Sequence, residues 1–257
     1  ILTNSFVPCN GRFPTLIALI AIFFAGMSKS LWSSFLCALL LTLMILLGIG
    51  MTLAVTWLLS VTLLKGMPSA FTLELPPYRR PQVGSVIVRS IFDRTLFVLG
   101  RAVAVAVPAG LLIWIMANVT AGGTSLLELC ASFLDPFAGL MGLDGVILMA
   151  FILGFPANEI VMPVIFMAYL SQGTLMEPGS FAAMKTLLLS HGWTWMTAVS
   201  MLLFSLFHWP CSTTLLTIHK ETKSLKWTAL AALLPTAAGI LLCMLFTGAC
   251  RIFALIG

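Results

Sequence analysis

Charged residues are scarce in this chain of 257 residues, because aspartate, glutamate, lysine and arginine make up only 8% of it. A soluble domain carries about 25% charged residues, whereas 60% of this chain is hydrophobic. This composition excludes an ordinary soluble domain and indicates an all-α polytopic membrane protein. The net charge of +5 gives no reason to expect nucleic acid as a partner, because the basic residues lie in segments that flank apolar runs.

Signatures of several other protein classes are also missing. The sequence has no Gly-x-x-x-x-Gly-Lys-Ser/Thr loop, so GTP binding cannot be assigned to these residues. It has no His-Glu-x-x-His motif and no nucleophile–base pair, which argues against an enzyme. It also has no Met-x-x-Met cluster of the kind that a Cu(I) transport path would suggest. Six scattered cysteines do not form a disulfide framework. The chain starts Ile1-Leu2-Thr3 without methionine or a signal peptide, so we expect a segment of a longer protein.

The apolar runs and the polar segments between them predict three regions: a first broken helix plus a long transmembrane helix over 1–64, a cytoplasmic linker with an amphipathic helix over 65–95, and a second transmembrane half over 96–257. In the second half we predict a span at 96–117, a re-entrant hairpin at 145–171, a broken helix at 193–218 and a final span at 227–246. Gly48 and Gly50 are the expected bend points of the long helix.

The distribution of charge predicts the hairpin. Lysine and arginine are in excess over 65–95 and 219–226, which places both segments in the cytoplasm. Residues 118–144 contain acidic but no basic side chains, which fits the outer side. An odd number of crossings must connect residue 144 to residue 219, yet two apolar segments lie between them. We therefore predict that the segment at 145–171 enters and leaves the membrane on the same side.

The tip of this hairpin is the stretch Gly-Phe-Pro-Ala-Asn-Glu (residues 154–159). Gly154 and Pro156 break the helix, and broken backbone at membrane depth is tolerated only where it is buried in protein or lines a cavity. A carboxylate at a helix centre costs about 2.5–3.5 kcal/mol on insertion scales. Asn158 and Glu159 are therefore candidate transport residues.

A short internal repeat adds two further breaks. Pro8-Cys9-Asn10 and Pro210-Cys211-Ser212 share a proline, a cysteine and a small polar residue, and a threonine follows each cysteine by six positions. On the predicted topology the two breaks lie in helices of opposite direction. Paired discontinuous helices of this kind are typical of an inverted-repeat transporter with its site near the midplane. The first break should then be preceded by a hairpin of its own, upstream of residue 1.

Five motifs occur in the same order as in FeoB-type ferrous iron transporters: Phe-Val-Pro-Cys-Asn-Gly-Arg-Phe-Pro (6–14), Glu-Leu-Pro-Pro-Tyr-Arg (74–79), Gly-Phe-Pro-Ala-Asn-Glu (154–159), Trp-Pro-Cys-Ser-Thr-Thr (209–214) and His-Lys-Glu-Thr-Lys-Ser-Leu-Lys-Trp (219–227). The chain resembles the C-terminal transmembrane portion of that family, with its Gate or nucleoside-recognition fold. The resemblance implies multi-pass insertion in a bacterial inner membrane and import of Fe(II) as the transported substrate, with no permanently bound cofactor.

The same resemblance implies the partners. They are Fe(II), the lipid bilayer, an N-terminal G domain and a first Gate half that full-length members carry, with a small cytoplasmic accessory protein and homo-oligomerisation as further expectations. Nucleic acid is not among them. Two other functions stay open: a Gate-fold transporter of an organic solute such as a nucleoside, and a non-transporting membrane assembly or signalling subunit that keeps the fold.

Given the resemblance, the residues expected to contact the metal are Cys9, Cys211, Glu159, Asn158 and His208, with Asn10 and Ser212 as secondary candidates and Pro8, Pro156, Pro210 and Gly154 as structural breaks. Thiolate, imidazole and carboxylate can all ligate Fe(II). Alternatively, the cysteines fill space at a helix crossing, Glu159 caps the second half of the hairpin, and His208 is a hydrogen-bonded structural residue. Arg12 is expected to cap carbonyls or to reach the interface.

Overall fold

The computed structural model describes residues 2–24, 31–63, 65, 84, 88, 96–170 and 179–256. These residues form ten helices: α1 (Phe13–Phe23), α2 (Leu31–Val61), α3 (Phe97–Asn118), α4 (Leu126–Leu140), α5 (Gly145–Leu153), α6 (Val161–Tyr169), α7 (Phe181–Ser190), α8 (Trp195–Phe207), α9 (Ser212–Thr222) and α10 (Leu225–Ile256). The described part also contains short 3₁₀ turns at Asn4–Phe6 and Asn158–Ile160. The predicted linker at 65–95, with its amphipathic helix, lies outside the described residues apart from three isolated positions.

The prediction of an all-α chain with membrane-type helices is confirmed. The strands that the described residues form are two residues long, Thr120–Ala121 and Thr124–Ser125, and they pair as a small antiparallel ribbon. By length and apolar composition, three stretches of the described chain could cross a membrane: Leu31–Val61, Trp195–Thr222 and Leu225–Ala254. A fourth arises if α4 and α5, which meet at 109°, are taken as one span.

The core lies where α1, α4, α5, α6 and α8 meet. Its fully buried side chains are apolar and come from each of these helices, with Ile20, Ala138, Phe151, Ile165 and Phe204 as examples. The rings of Phe151 and Phe204 pack edge to face with their centroids 4.9 Å apart, a favourable aromatic geometry. The helices that carry the breaks are therefore held by a dense apolar core, while α2 and α10 cover it from outside.

Helix α4 was not predicted, because residues 118–144 were read only as an outer connection. Its start is encoded by a capping box: the Ser125 hydroxyl accepts from the Glu128 N–H, and the Glu128 carboxylate accepts from the Ser125 N–H. This Ser-x-x-Glu pattern before an apolar run was available in the sequence. Helix α4 packs closely on the start of α5, where a Cβ on Gly145 would lie 1.9 Å from the Ala131 carbonyl oxygen.

Helix α2 runs without interruption from Leu31 to Val61, and the bends at Gly48 and Gly50 stay predictions. Gly48 has a role in packing. A Cβ at that position would lie 2.6 Å from the Phe6 carbonyl oxygen, so the glycine allows the segment before the first Pro-Cys pair to pack directly on α2. At Gly50, two residues further on, a Cβ would meet no atom of the described chain within 4 Å.

This pair of glycines gives a test of the packing on α2. We expect Gly48→Ala to lower the melting temperature of the detergent-solubilised protein, because overpacking a tight contact costs about 1–3 kcal/mol. Gly50→Ala is the matched control and should leave the melting temperature unchanged or raise it, since alanine favours a helix over glycine. Equal melting temperatures for the two variants would show that Phe6 does not pack against Gly48.

Candidate metal-transport site at two chain breaks

The first break precedes α1. Residues 7–12 are not helical, because Pro8 lacks a backbone donor and restricts the residue before it. A turn closes where the Arg12 N–H donates to the Cys9 carbonyl over 2.9 Å. Helix α1 then begins at Phe13 with Pro14 in its first turn, a position that tolerates proline. Cys9 is consequently held on a loop just ahead of a helix N-terminus, and it is exposed.

The second break separates α8 from α9. Helix α8 ends at Phe207, and His208 has extended backbone with φ −70° and ψ 175°. Pro210 keeps the chain extended, and Cys211 becomes the N-cap residue of α9. The Cys211 Sγ lies 3.2 Å from the Thr213 hydroxyl and 3.1 Å from the Thr214 hydroxyl. The thiol is thus half-buried at a helix N-terminus, with two hydroxyl groups beside it.

Arg12 joins the two breaks. Its Nη1 donates to the carbonyls of Ser5 and Leu206 over 2.9 and 2.8 Å, and its Nη2 donates to the carbonyls of His208 and Trp209 over 2.8 and 3.2 Å. Three of these four carbonyls belong to the end of α8 or to the break after it, where the helix leaves its last carbonyls without intrahelical partners. The expectation that Arg12 caps carbonyls is confirmed.

This arrangement places a buried positive charge at the site. The Arg12 side chain is 2% exposed, and within the described part of the chain it forms hydrogen bonds to carbonyls and no ion pair with a carboxylate. Its Nε–H has no hydrogen-bond partner among the residues that the structure describes. The negative end of the α8 dipole compensates part of the charge.

A cavity of about 230 Å³ lies between the breaks. It is lined by residues from the first break, from the hairpin tip and from the second break: Asn4, Ser5, Val7, Pro8, Cys9, Arg12, Asn158, Pro210, Cys211 and Thr214. Both cysteines of the repeat therefore border one space, together with Asn158 and the Arg12 side chain. The hydroxyl-bearing residues Ser5 and Thr214 were not predicted, although Thr214 is the last residue of the Trp-Pro-Cys-Ser-Thr-Thr motif.

The hairpin tip is bound to the start of α9 by Ser212. Its backbone N–H donates to the Phe155 carbonyl over 2.9 Å, and its hydroxyl donates to the Pro156 carbonyl over 3.4 Å. These two carbonyls are left without helical partners by the break after α5. Gly154 allows the start of α6 to pack against the end of α5, because a Cβ there would lie 2.6 Å from the Val161 side chain. Both donors of Ser212 are therefore engaged in holding the tip, and Ser212 does not line the cavity.

His208 forms a hydrogen bond with the side chain of Asn158. Its Nδ1 lies 3.1 and 2.9 Å from the carbonyl oxygens of Phe204 and Ser205, so Nδ1 carries the proton and donates to them. In the neutral ring Nε2 is then an acceptor, and it faces the Asn158 amide at 3.3 Å. An acceptor needs a donor, so the Asn158 amide nitrogen is the atom that donates to Nε2. This orientation differs from its alternative only by a 180° flip of the amide, which leaves the shape of the side chain unchanged. Both ring nitrogens of His208 are thus occupied.

Glu159 and Asn10 lie apart from the cavity lining. Glu159 is exposed, and it passes beside the first break, where a Cβ on Gly11 would lie 3.4 Å from its Cγ. Asn10 is also exposed. The structure therefore brings Cys9, Cys211 and Asn158 together and leaves Glu159 outside the cavity lining. In the described part of the chain, no group of three histidine, cysteine, aspartate or glutamate side chains is close enough to hold a metal ion.

Two family models match the chain. Residues 41–93 match the model described as "Ferrous iron transport protein B C terminus", and residues 99–225 match the model described as "Nucleoside recognition". No solved structure matches.

The curated relatives include three proteins named Fe(2+) transporter FeoB. That of Staphylococcus aureus (strain MSSA476) is 27% identical over 256 residues, covering 96% of this chain and 35% of the relative. That of Synechocystis is 28% identical over 179 residues, covering 68% of this chain and 28% of the relative. That of Methanocaldococcus jannaschii is 26% identical over 245 residues, covering 90% of this chain and 34% of the relative. The chain thus spans about a third of the length of the relatives it matches.

The role of Arg12 can be measured by stability. We expect Arg12→Met to destabilise the protein by about 3 kcal/mol or more, because several buried carbonyls lose charge-assisted hydrogen bonds of about 1.5–3 kcal/mol each. Arg12→Lys should lie between Arg12→Met and the wild type, since an ammonium group keeps the charge but cannot span four carbonyls as a planar fork does. Thermal unfolding in detergent provides the measurement, and an unchanged midpoint for Arg12→Met would show that these hydrogen bonds do not stabilise the fold.

Proposed function

We propose that this chain, a FeoB-type membrane sequence by its family matches, forms part of the path by which ferrous iron crosses a membrane. The observation that carries the proposal is the shared cavity: two cysteines 202 positions apart in sequence line one space at two helix breaks. The relatives that cover most of the chain are named Fe(2+) transporters. Fe(II) is the substrate in this proposal, and the protein needs no resident cofactor.

The chemistry of the cavity suits a transient divalent ion. Thiolate sulfur and amide oxygen are both acceptable ligands for Fe(II), which protein sites select by geometry more than by raw affinity. Cys9, Cys211 and Asn158 would supply them. The cavity of about 230 Å³ holds an ion together with several waters, since a water occupies about 30 Å³ of liquid volume. With so few ligands the ion would keep part of its hydration, which favours passage over tight retention.

Arg12 couples metal entry to proton release. A cavity with two neutral thiols and a guanidinium carries a net positive charge and repels Fe(II). If the thiols are deprotonated, their two negative charges outweigh the single positive charge and attract the ion. Because a thiol must lose its proton to bind metal, each ion that enters displaces protons, and uptake by this path should increase as the pH rises.

Transport of an organic solute is the less well supported alternative. The cavity is smaller than the range of about 300–1,000 Å³ that small-molecule pockets occupy. Asn158, which would hydrogen-bond such a solute, is 5% exposed and faces His208. The description of the second family model is the remaining argument for a nucleoside.

We also propose that α5 and α6 form a re-entrant hairpin. Its two outer ends are joined, because the Tyr169 hydroxyl donates to the Asp144 carboxylate and accepts from the Trp193 indole over 2.8 Å. Asp144 caps α5 through the Ile147 N–H at 2.6 Å. A segment that starts and ends at one point supports entry and exit on the same side of the membrane.

Trp32 and Trp57 of α2 lie about 37 Å apart along the helix, a separation that fits two interfacial aromatic belts.

An inverted repeat is supported by the way the breaks meet. Phe6 precedes the first Pro-Cys pair and Phe207 precedes the second, and their ring centroids are 5.9 Å apart. The two repeat threonines support it less, because Thr15 is buried on α1 whereas Thr217 is exposed on α9. The proposal extends to a bacterial inner membrane, and to a G domain, a first Gate half and an accessory protein as partners of the longer protein.

Uptake of Fe(II) tests the two cysteines. In cells that express the complete transporter containing this chain, we expect Cys9→Ser and Cys211→Ser each to reduce Fe(II) uptake by at least about tenfold, the scale of losing an important metal contact. Cys37→Ser, a half-buried cysteine on α2, is the matched control and should transport normally. Expression of all variants is verified by immunoblot. Normal uptake by the Cys9→Ser/Cys211→Ser double variant, or competition by nucleosides but not by Co(II), would disprove the assignment.

Accessibility to a membrane-impermeant maleimide tests the hairpin. Ser180→Cys lies after the hairpin and should react from outside intact cells, whereas Lys220→Cys on α9 should react only after permeabilisation. Both positions are exposed, so solvent access to the side chain is comparable. If Ser180→Cys reacts only from the cytoplasmic side, residues 145–171 cross the membrane fully and the re-entrant assignment fails.

A further inference from the structure

The cavity between the two breaks lies at the N-termini of two helices. Helix α1 begins at Phe13 and helix α9 at Ser212, and each is eleven residues long. Their N-cap residues, Arg12 and Cys211, both line the cavity. The first turn of a helix has backbone N–H groups without intrahelical partners and carries a partial positive charge. Two such ends at one cavity favour a negatively charged ligand.

The guanidinium of Arg12 adds a full positive charge to this cavity. The side chain is 2% exposed, and its hydrogen bonds within the described chain go to carbonyls of uncharged peptide groups. The described residues of the lining include no aspartate or glutamate, and Glu159, which passes beside Gly11, forms no ion pair with Arg12. A buried charge without a countercharge is costly, so an anion in the cavity would stabilise this arrangement.

Two buried donors in the lining are also left unused. The Arg12 Nε–H and the Ser5 hydroxyl have no hydrogen-bond partner among the described residues. Ser5 is 7% exposed, and it lies beside the guanidinium, because its carbonyl accepts from Nη1 over 2.9 Å. A buried donor that stays unpaired costs about 1–3 kcal/mol. A ligand that accepts hydrogen bonds would satisfy both groups.

From these contacts we propose that the cavity binds one small monovalent anion, with chloride as the representative, beside Arg12 and Ser5. A single cationic side chain in the described lining matches a single negative charge and would not neutralise a dianion such as sulfate. The remaining walls are partly apolar, with Val7, Pro8 and Pro210 among the lining residues. Such walls suit chloride, which needs few hydrogen bonds, better than a strongly hydrated oxyanion.

This site goes beyond the proposed function, because it concerns the cavity without metal. The anion would offset the charge of Arg12, which the carbonyls and the α8 dipole compensate only in part. If Fe(II) enters the same cavity, anion and cation attract each other, and each then raises the affinity of the other by the same factor. That last consequence rests on the proposed function, whereas anion binding does not.

Replacement of gluconate by chloride tests the site. The complete transporter that contains this chain is purified in detergent and kept in metal-free buffer at pH 6, where ordinary thiols are protonated. At constant ionic strength, the thermal unfolding midpoint should rise as chloride replaces gluconate, because a ligand that binds the folded state stabilises it. Replacement by sulfate should not raise it. Equilibrium binding of radiolabelled chloride should reach one ion per chain.

Two serine variants locate the anion. Ser5→Ala removes an unpaired hydroxyl and should weaken chloride binding at least about tenfold, the scale of one hydrogen bond to a charged group. Ser200→Ala is the matched control, because Ser200 is equally buried but its hydroxyl faces Thr247 and does not line the cavity. It should bind chloride as the wild type does, even if its midpoint is lower.

Two results would overturn the proposal. Equal midpoints in chloride and gluconate, with no bound radiolabel, would show that the cavity holds water only. Wild-type chloride affinity in Ser5→Ala would place any bound chloride elsewhere. Neither result would bear on Fe(II) uptake, which the cysteine variants test separately.

Discussion

The guanidinium of Arg12 is the interaction on which the site depends. The chain is non-helical at two places that lie close together, and it leaves carbonyls there that must find donors, because a buried carbonyl without a partner is costly. One side chain with a planar array of donors satisfies carbonyls from both interruptions. The charge that makes these hydrogen bonds strong also lies beside the two thiols. The structural requirement and the chemistry of the cavity are therefore met by the same group.

The remaining contacts extend this principle to the hairpin. Ser212 donates to the two carbonyls that the hairpin break exposes, and His208 uses both ring nitrogens to connect the end of α8 with Asn158. Polar residues that look like metal ligands in the sequence are thus divided between two tasks. Ser212 and His208 satisfy backbone and amide groups, while the two cysteines remain at the cavity surface. A break in a membrane helix needs many polar groups for its own support, and few are left over for a transported ion.

Much of the fold could be predicted from local pattern. The apolar runs predicted α2, α3, α8 and α10 because a membrane helix must be long and apolar, and Pro210 predicted the interruption after α8. Helix α4 was not predicted, because the acidic side chains of residues 118–144 were used only to assign that segment to one side of the membrane. Its capping box, Ser125 and Glu128, is present in the sequence. The packing role of Gly48 could not be predicted, because a glycine in a sequence does not reveal whether it loosens a helix or admits a neighbouring chain.

Composition and proline positions were enough to predict a helical membrane protein with three polar interruptions, because both act locally and do not depend on distant residues. The motifs were enough to predict the family likeness. Which polar residues meet follows only from the packing: Cys9 and Cys211 line a cavity with Asn158, whereas Glu159 is exposed outside its lining and His208 contacts the Asn158 amide. These outcomes depend on contacts between residues up to about two hundred positions apart, and such contacts are fixed by helix packing and by the fork of Arg12, which no local pattern encodes.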